Sequence, residues 1–136
     1  MAGYKIEEIE GIGPTFAAKL RGAAIGTVAE LLDACCDPKG RKGLAASTGI
    51  DEDRLLRWTN MADLMRVKGI GKQYAELLEA AGVDTVKELK TRNAANLSAK
   101  LAEVNARKKL AGTVPAESVV AGWIEQAKAL PGRITY

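Results

Sequence analysis

"IEGIGPTFAAKL" (Ile9–Leu20) and "VKGIGKQYAELL" (Val67–Leu78) each place Gly-Ile-Gly before an apolar pattern of helical spacing, 58 positions apart. With that displacement Gly11, Ile12, Gly13, Ala17, Leu20, Ala23, Thr27, Val28, Glu30 and Leu31 meet identical residues at Gly69, Ile70, Gly71, Ala75, Leu78, Ala81, Thr85, Val86, Glu88 and Leu89. Phe16 meets Tyr74, and Ile25 meets Val83. Chance does not produce such a run. Further on the register slips, yet "GIDEDRLLRW" (49–58) still parallels "TVPAESVVAGW" (113–123), each a capped start leading to a tryptophan. The chain is therefore read as two copies of one unit, residues 1–60 and 61–136.

Each copy reads as helices. After the first turn Phe16, Ala17, Leu20, Ala23 and Ala24 form one apolar stripe, as a core-facing helix requires. "TVAE" at Thr27 and "TVKE" at Thr85 match the Thr-x-x-Glu box that satisfies free amides at a helix start. "GRKGLAAST" predicts a helix ending near Gly49, and "DEDRLLRWTNMADLM" predicts one with an acidic first turn. "NAANLSAKLAEVNARKKL" and "PAESVVAGWIEQAKAL" predict two longer helices, the second with Pro115 in its first turn, where a missing donor is harmless. "CDPKGRKG" (36–43) is expected to be an exposed connection. β-branched residues never alternate with polar ones long enough to suggest a strand.

Two helices joined by Gly-hydrophobic-Gly make a helix-hairpin-helix. The first glycine is expected to end a helix in a left-handed conformation, and the central Ile12 or Ile70 to tuck into the core. The second glycine leaves backbone bare at the start of the next helix, where amide donors and the positive dipole end suit a phosphate. The expected fold is all-α: two pseudo-repeated helix-hairpin-helix units packed into one compact, cooperative helical domain. Phe16, Tyr74, Trp58 and Trp123 are expected to lie buried where the copies meet.

The flanks of the two turns differ. Glu7, Glu8 and Glu10 precede the first, and Pro14 removes one amide donor after it. In the second copy Arg66 stands for Glu8, Lys68 for Glu10 and Lys72 for Pro14. Three carboxylates repel a phosphate; three cations attract one. Residues 1–60 carry 8 basic and 9 acidic side chains, residues 61–136 carry 12 and 8. "KELKTR" (87–92) and Arg107–Lys109 add basic groups to the second copy. The net charge of +3 is nevertheless modest for a nucleic-acid binder, and 4% aromatic content argues against a base-stacking platform.

Composition removes other classes. No histidine is present, so the usual general base and the commonest zinc ligand are missing. Cys35 and Cys36 are sequence neighbours, too few for a metal site and poorly placed to bond each other. No nucleophile stands with a base, and no paired carboxylates occur at a recognisable spacing. The expectation is no enzyme, no cofactor, no metal and no small-molecule substrate. Hydrophobic residues at 47% and charged residues at 27% fit a globular protein, and no apolar run nears the roughly 18 residues of a membrane span. The opening "MAGYKIEEIE" lacks a signal-peptide layout, so a cytoplasmic location without membrane partners is expected.

"PKGRKGLAASTGI", "LLRWTNMADLMRVKGIGKQYAELLEAAGVDTVKELKTRN" and "VPAESVVAGWIEQAKAL" resemble a bacterial domain-of-unknown-function family of tandem helix-hairpin-helix units, over about Ile6 to Leu130. The resemblance implies an all-helical domain with a nucleic-acid role inferred from the hairpins, and it implies no catalytic residues. The expected function is weak, sequence-independent contact with nucleic-acid backbone through Arg66, Lys68, Gly69, Ile70, Gly71 and Lys72, with Gly11, Ile12 and Gly13 as a possible second contact. The alternative is a protein-interaction adaptor or self-associating scaffold, using the acidic first and basic second hairpins.

Overall fold

The computed structural model describes residues 4–136. The described residues form a short 3-10 helix, Ile6–Glu8, and eight α-helices: α1 Pro14–Gly22, α2 Val28–Cys35, α3 Pro38–Thr48, α4 Glu52–Leu64, α5 Lys72–Ala80, α6 Val86–Leu89, α7 Ala94–Lys108 and α8 Glu117–Ala129. Among the described residues the β pairing is a single isolated bridge, Lys5 to Thr27. The fold is all-α. Contacts divide the chain into two compact units, Met1–Asp63 with Arg133–Tyr136, and Leu64–Gly132.

In the first unit the helix starts follow local chemistry. Thr27 accepts from the Glu30 amide at 3.1 Å while the Glu30 carboxylate accepts from the Gly26 and Thr27 amides at 3.0 Å, a complete capping box. The bond from Gly26 is the main reason the Glu30 carboxyl is held below its ordinary pKa. Asp37 accepts from the Gly40 amide at 2.7 Å with Pro38 as first helical residue, and Gly49 (φ 75°) closes α3. "CDPKGRKG" is thus no exposed connection. An aspartate cap followed by proline at the first helical position opens a helix there.

Gly40 has a packing reason as well. A Cβ built on it would lie 2.0 Å from the Ala34 carbonyl oxygen of α2, so only glycine lets α3 approach α2 this closely. Arg41, on the next position, is buried and donates to the carbonyls of Cys35 (3.0 Å) and Thr135 (2.7 Å). The Thr135 amide in turn donates to the Cys36 carbonyl at 2.8 Å, and Arg133 pairs with Asp33 at 2.6 Å. These bonds hold the last four residues on α2 and α3.

In the second unit α7 packs on α8, α5 on α7 and α6 on α8. Thr85 caps α6 through the Glu88 amide at 3.3 Å, but the Glu88 carboxylate accepts from Arg92 at 3.0 Å. The second capping box therefore forms only half: the arginine one turn on offers a charge-assisted bond that outcompetes the backbone amide. α8 also starts later than expected. Ala116 is its cap, so Pro115 precedes the helix and is buried.

The displacement by 58 carries over to backbone geometry. Gly11 and Gly69 have φ of 95° and 96°. Ile12 donates to the Ile9 carbonyl and Ile70 to the Val67 carbonyl, both at 3.2 Å. At the far ends of α1 and α5, Ile25 reaches back to Leu20 and Val83 to Leu78, both at 2.9 Å. Here Ala24 (φ 66°) occupies the left-handed position that Gly82 (φ 92°) fills in the second unit. Trp58 and Trp123 are buried, whereas Phe16 and Tyr74 are half-buried. Each aromatic pair is internal to its own unit, with Phe16 5.1 Å from Trp58 and Tyr74 5.3 Å from Trp123 between centroids.

Two glycines three positions apart in α3 make opposite predictions. Gly40→Ala forces backbone against backbone and is expected to destabilise by about 3 kcal/mol. Gly43 has nothing within 4 Å of its would-be Cβ. Gly43→Ala is expected to stabilise by roughly 0.5–1 kcal/mol, through helix propensity alone. Urea denaturation of both variants checks this; equal effects would contradict the packing role of Gly40.

Candidate nucleic-acid interface

The Gly-Ile-Gly turn is a four-residue β-turn, Val67 to Ile70, with Gly69 at the third position where φ must be positive. α4 has already ended at Leu64, so the glycine does not terminate that helix as expected; it reverses the chain five residues beyond. In the first unit the same turn, Ile9 to Ile12, follows the 3-10 helix ending at Glu8. Val67, Ile70, Ile9 and Ile12 are buried and anchor the turns from below. Ile70 and Ile12 therefore hold position and offer no surface to a ligand.

Beneath each turn glycine lies a tryptophan. A Cβ on Gly69 would sit 3.0 Å from Trp123 Nε1, and one on Gly11 would sit 3.2 Å from Trp58 Nε1. Positive φ favours glycine at both positions, and a Cβ there would also press on the indole unless the ring gave by a few tenths of an ångström.

In the second unit the surface around the turn is built from backbone and cations. Gly71 is the cap of α5 and carries no side chain to occupy the first-turn amides. Lys68 and Lys72 are exposed on either side of Gly69–Gly71. Gly69, Gly71, Lys72, Gln73 and Tyr74 line a groove of about 440 Å³ whose opposite wall is Gly112 and Thr113. Gln73 accepts from the Gly112 amide at 3.4 Å, and the Tyr74 hydroxyl donates to the Thr113 carbonyl at 3.0 Å. Gln126 grips the turn from α8: its Oε1 accepts from the Lys68 amide at 2.9 Å and its Nε2 donates to the Lys68 carbonyl at 3.3 Å. Arg66 is half-buried and donates to the Pro131 carbonyl at 2.8 Å.

Around the first turn the acidic flank is largely engaged. Arg21 donates twice to Glu7 at 2.6 Å, which holds the Glu7 carboxyl down at about 2. Glu8 accepts from the Lys5 amide at 2.7 Å. Pro14 opens α1 and removes an amide there. Beyond it the half-exposed Phe16 ring faces Arg54 at 4.9 Å and Lys19 at 6.0 Å. The expectation of three repelling carboxylates is thus softened by internal pairing, and Gly11 and Gly13 stand exposed among them.

Gln126, Gln73, Gly112 and Thr113 carry no motif and escaped the reading of the sequence. One signal existed for Gln126. Aligning Trp58 with Trp123 sets it opposite Met61, a polar side chain where the first copy has a buried apolar one. A larger groove of about 940 Å³ in the first unit is lined by Gly22, Ala23, Ala24, Ile25, Leu44 and residues that include Lys19, Glu30 and Asp33. Its Glu30 is spent on capping and its Asp33 on Arg133. Among the described residues no group of three histidine, cysteine or acidic side chains could hold a metal ion, and no helix is long and apolar enough to cross a membrane.

Cys35 is buried at the end of α2 and burial pushes its thiol up to about 11, while Cys36 is half-buried. At pH 8 Cys35 is therefore almost wholly protonated and poorly nucleophilic. One thiol, Cys36, is expected to react with a disulfide reagent in the native protein, and Cys35 only after unfolding. Equal rates for both would contradict the burial argument. For the turn, Gly69→Ala is expected to destabilise by about 2 kcal/mol or more, since it combines left-handed strain with contact on a fixed ring. A variant with an unchanged urea midpoint would refute the glycine–indole constraint.

No curated protein and no solved structure matches the chain. The model of a family described as a domain of unknown function (DUF4332) matches residues 10–130, and with nearly its whole length so covered the chain belongs to that family.

Proposed function

We propose that the chain is a non-enzymatic binding module, two tandem helix-hairpin-helix units of a bacterial, cytoplasmic protein, that contacts nucleic-acid backbone weakly and without reading sequence. The contact is made by the second turn. Gly71 and the amides that follow it supply donors, and Lys68 and Lys72 supply charge. The observation that carries this reading is one backbone shape with two chemistries. The turns match in φ and hydrogen bonding, yet Glu10 and Pro14 in the first correspond to Lys68 and Lys72 in the second. Residues that only had to close a corner had no need to exchange charge.

The rival is a protein adaptor, in which the acidic and basic turns engage partner chains or a second copy. It predicts no affinity for a duplex and a dependence on both charge sets.

Titrating a mixed-sequence DNA duplex at several salt concentrations decides between them. Contact with two or three phosphates gives a logarithmic salt slope of roughly −2 to −3 and affinity in the micromolar range or poorer. Lys68→Glu with Lys72→Glu is expected to abolish binding and leave the helical circular dichroism unchanged, since both side chains are exposed. No binding by the unaltered protein at about 100 μM in low salt, where non-specific contact is strongest, would overturn the proposal in favour of the adaptor.

A further inference from the structure

Lys109 is the C-cap of α7, with φ 52° and ψ 48°, its amide donating to the Asn105 carbonyl at 2.9 Å. This is the left-handed region, where lysine is strained and glycine or asparagine is preferred. At the corresponding end of α3 the chain uses Gly49, φ 75°. Arg107 and Lys108, in the last turn of α7, have a general reason to be basic, because cations favour the negative end of a helix dipole. That reason is already met before Lys109, and it does not explain a lysine in place of glycine at a position whose geometry penalises it.

The loop after Lys109 is fixed against the turn. Asn105 holds Ala111 through both its amide (2.9 Å) and its carbonyl (3.0 Å). Gly112 is bonded to Gln73 and Thr113 to Tyr74, and both loop residues line the groove opposite Gly69 and Gly71. Two residues lie between Lys109 and Gly112, so their Cα atoms are at most about 11 Å apart. That is comparable to the Debye length of about 10 Å at 0.1 M salt, so the backbone carrying this exposed cation lies within electrostatic reach of the groove.

We infer that Lys109–Thr113 is the second wall of the backbone-binding surface and that Lys109 contributes a separate phosphate contact, the left-handed strain being tolerated for the charge it positions. This rests on the nucleic-acid reading of the second turn and extends it from one chain segment to two.

Lys109→Gly and Lys109→Asn remove the charge while suiting the backbone, so loss of binding in either cannot be ascribed to unfolding. Each is expected to keep or raise the thermal midpoint, weaken binding to the same DNA duplex several-fold, and make the salt slope shallower by about 0.9. Lys109→Arg is expected to restore the wild-type slope. Suppose the wild type binds, the Lys68→Glu, Lys72→Glu variant does not, and Lys109→Gly binds with an unchanged slope. The loop is then no part of the surface: this inference falls and the turn remains. A wild type that does not bind duplex overturns both.

Discussion

The close approach between a turn glycine and the Nε1 of a buried indole sets the terms for each half of this chain. At Gly69 beside Trp123 and Gly11 beside Trp58 a Cβ would be tight against the indole, and φ near 95° resists one in any case. The tryptophan and the isoleucine of each turn, Ile70 or Ile12, are both buried. Removing a ring of this size costs about 3–5 kcal/mol in a packed interior. Turn, isoleucine and tryptophan are therefore one structural element, although the tryptophan lies some 50 residues along the chain in each case. The backbone emerging above it is presented at a fixed angle, with no side chain on either glycine.

On that common base the flanking side chains are free to differ. In the first unit they are turned inward on the protein itself. Glu7 is paired with Arg21, Glu8 holds the Lys5 amide, and Pro14 takes away a donor. In the second unit a side-chain amide, Gln126, secures the turn through the backbone of Lys68 and leaves the lysine's charge out of the bond. The first turn is finished by internal bonds, the second by a clamp that keeps its outward side basic.

The helical class and most helix limits were legible in the sequence because their causes are local: apolar spacing, Thr27 and Gly49 at helix ends, glycine in the turns. What was misread depended on neighbours remote in sequence. "CDPKGRKG" looks like a loop by composition, but Gly40 is there so that α3 can touch Ala34. Thr85 promises a full box, but Arg92 claims the glutamate. Arg66, grouped with Lys68 and Lys72 by its place in the sequence, also donates to the Pro131 carbonyl. The loop Gly112–Thr113 could not be placed beside the turn, since tertiary packing of α5 on α7 and the bonds of Gln73 and Tyr74 bring them together. The charge exchange at matched positions was visible from the start; the wall facing it was not.

Backbone amide shifts, followed by NMR while a short DNA duplex is titrated into the full chain at low salt, test the account most directly. The account predicts perturbations confined to Gly69–Tyr74 and Lys109–Thr113, with Gly11–Phe16 unmoved. Shifts centred on the first turn, or none at saturating duplex, would contradict it.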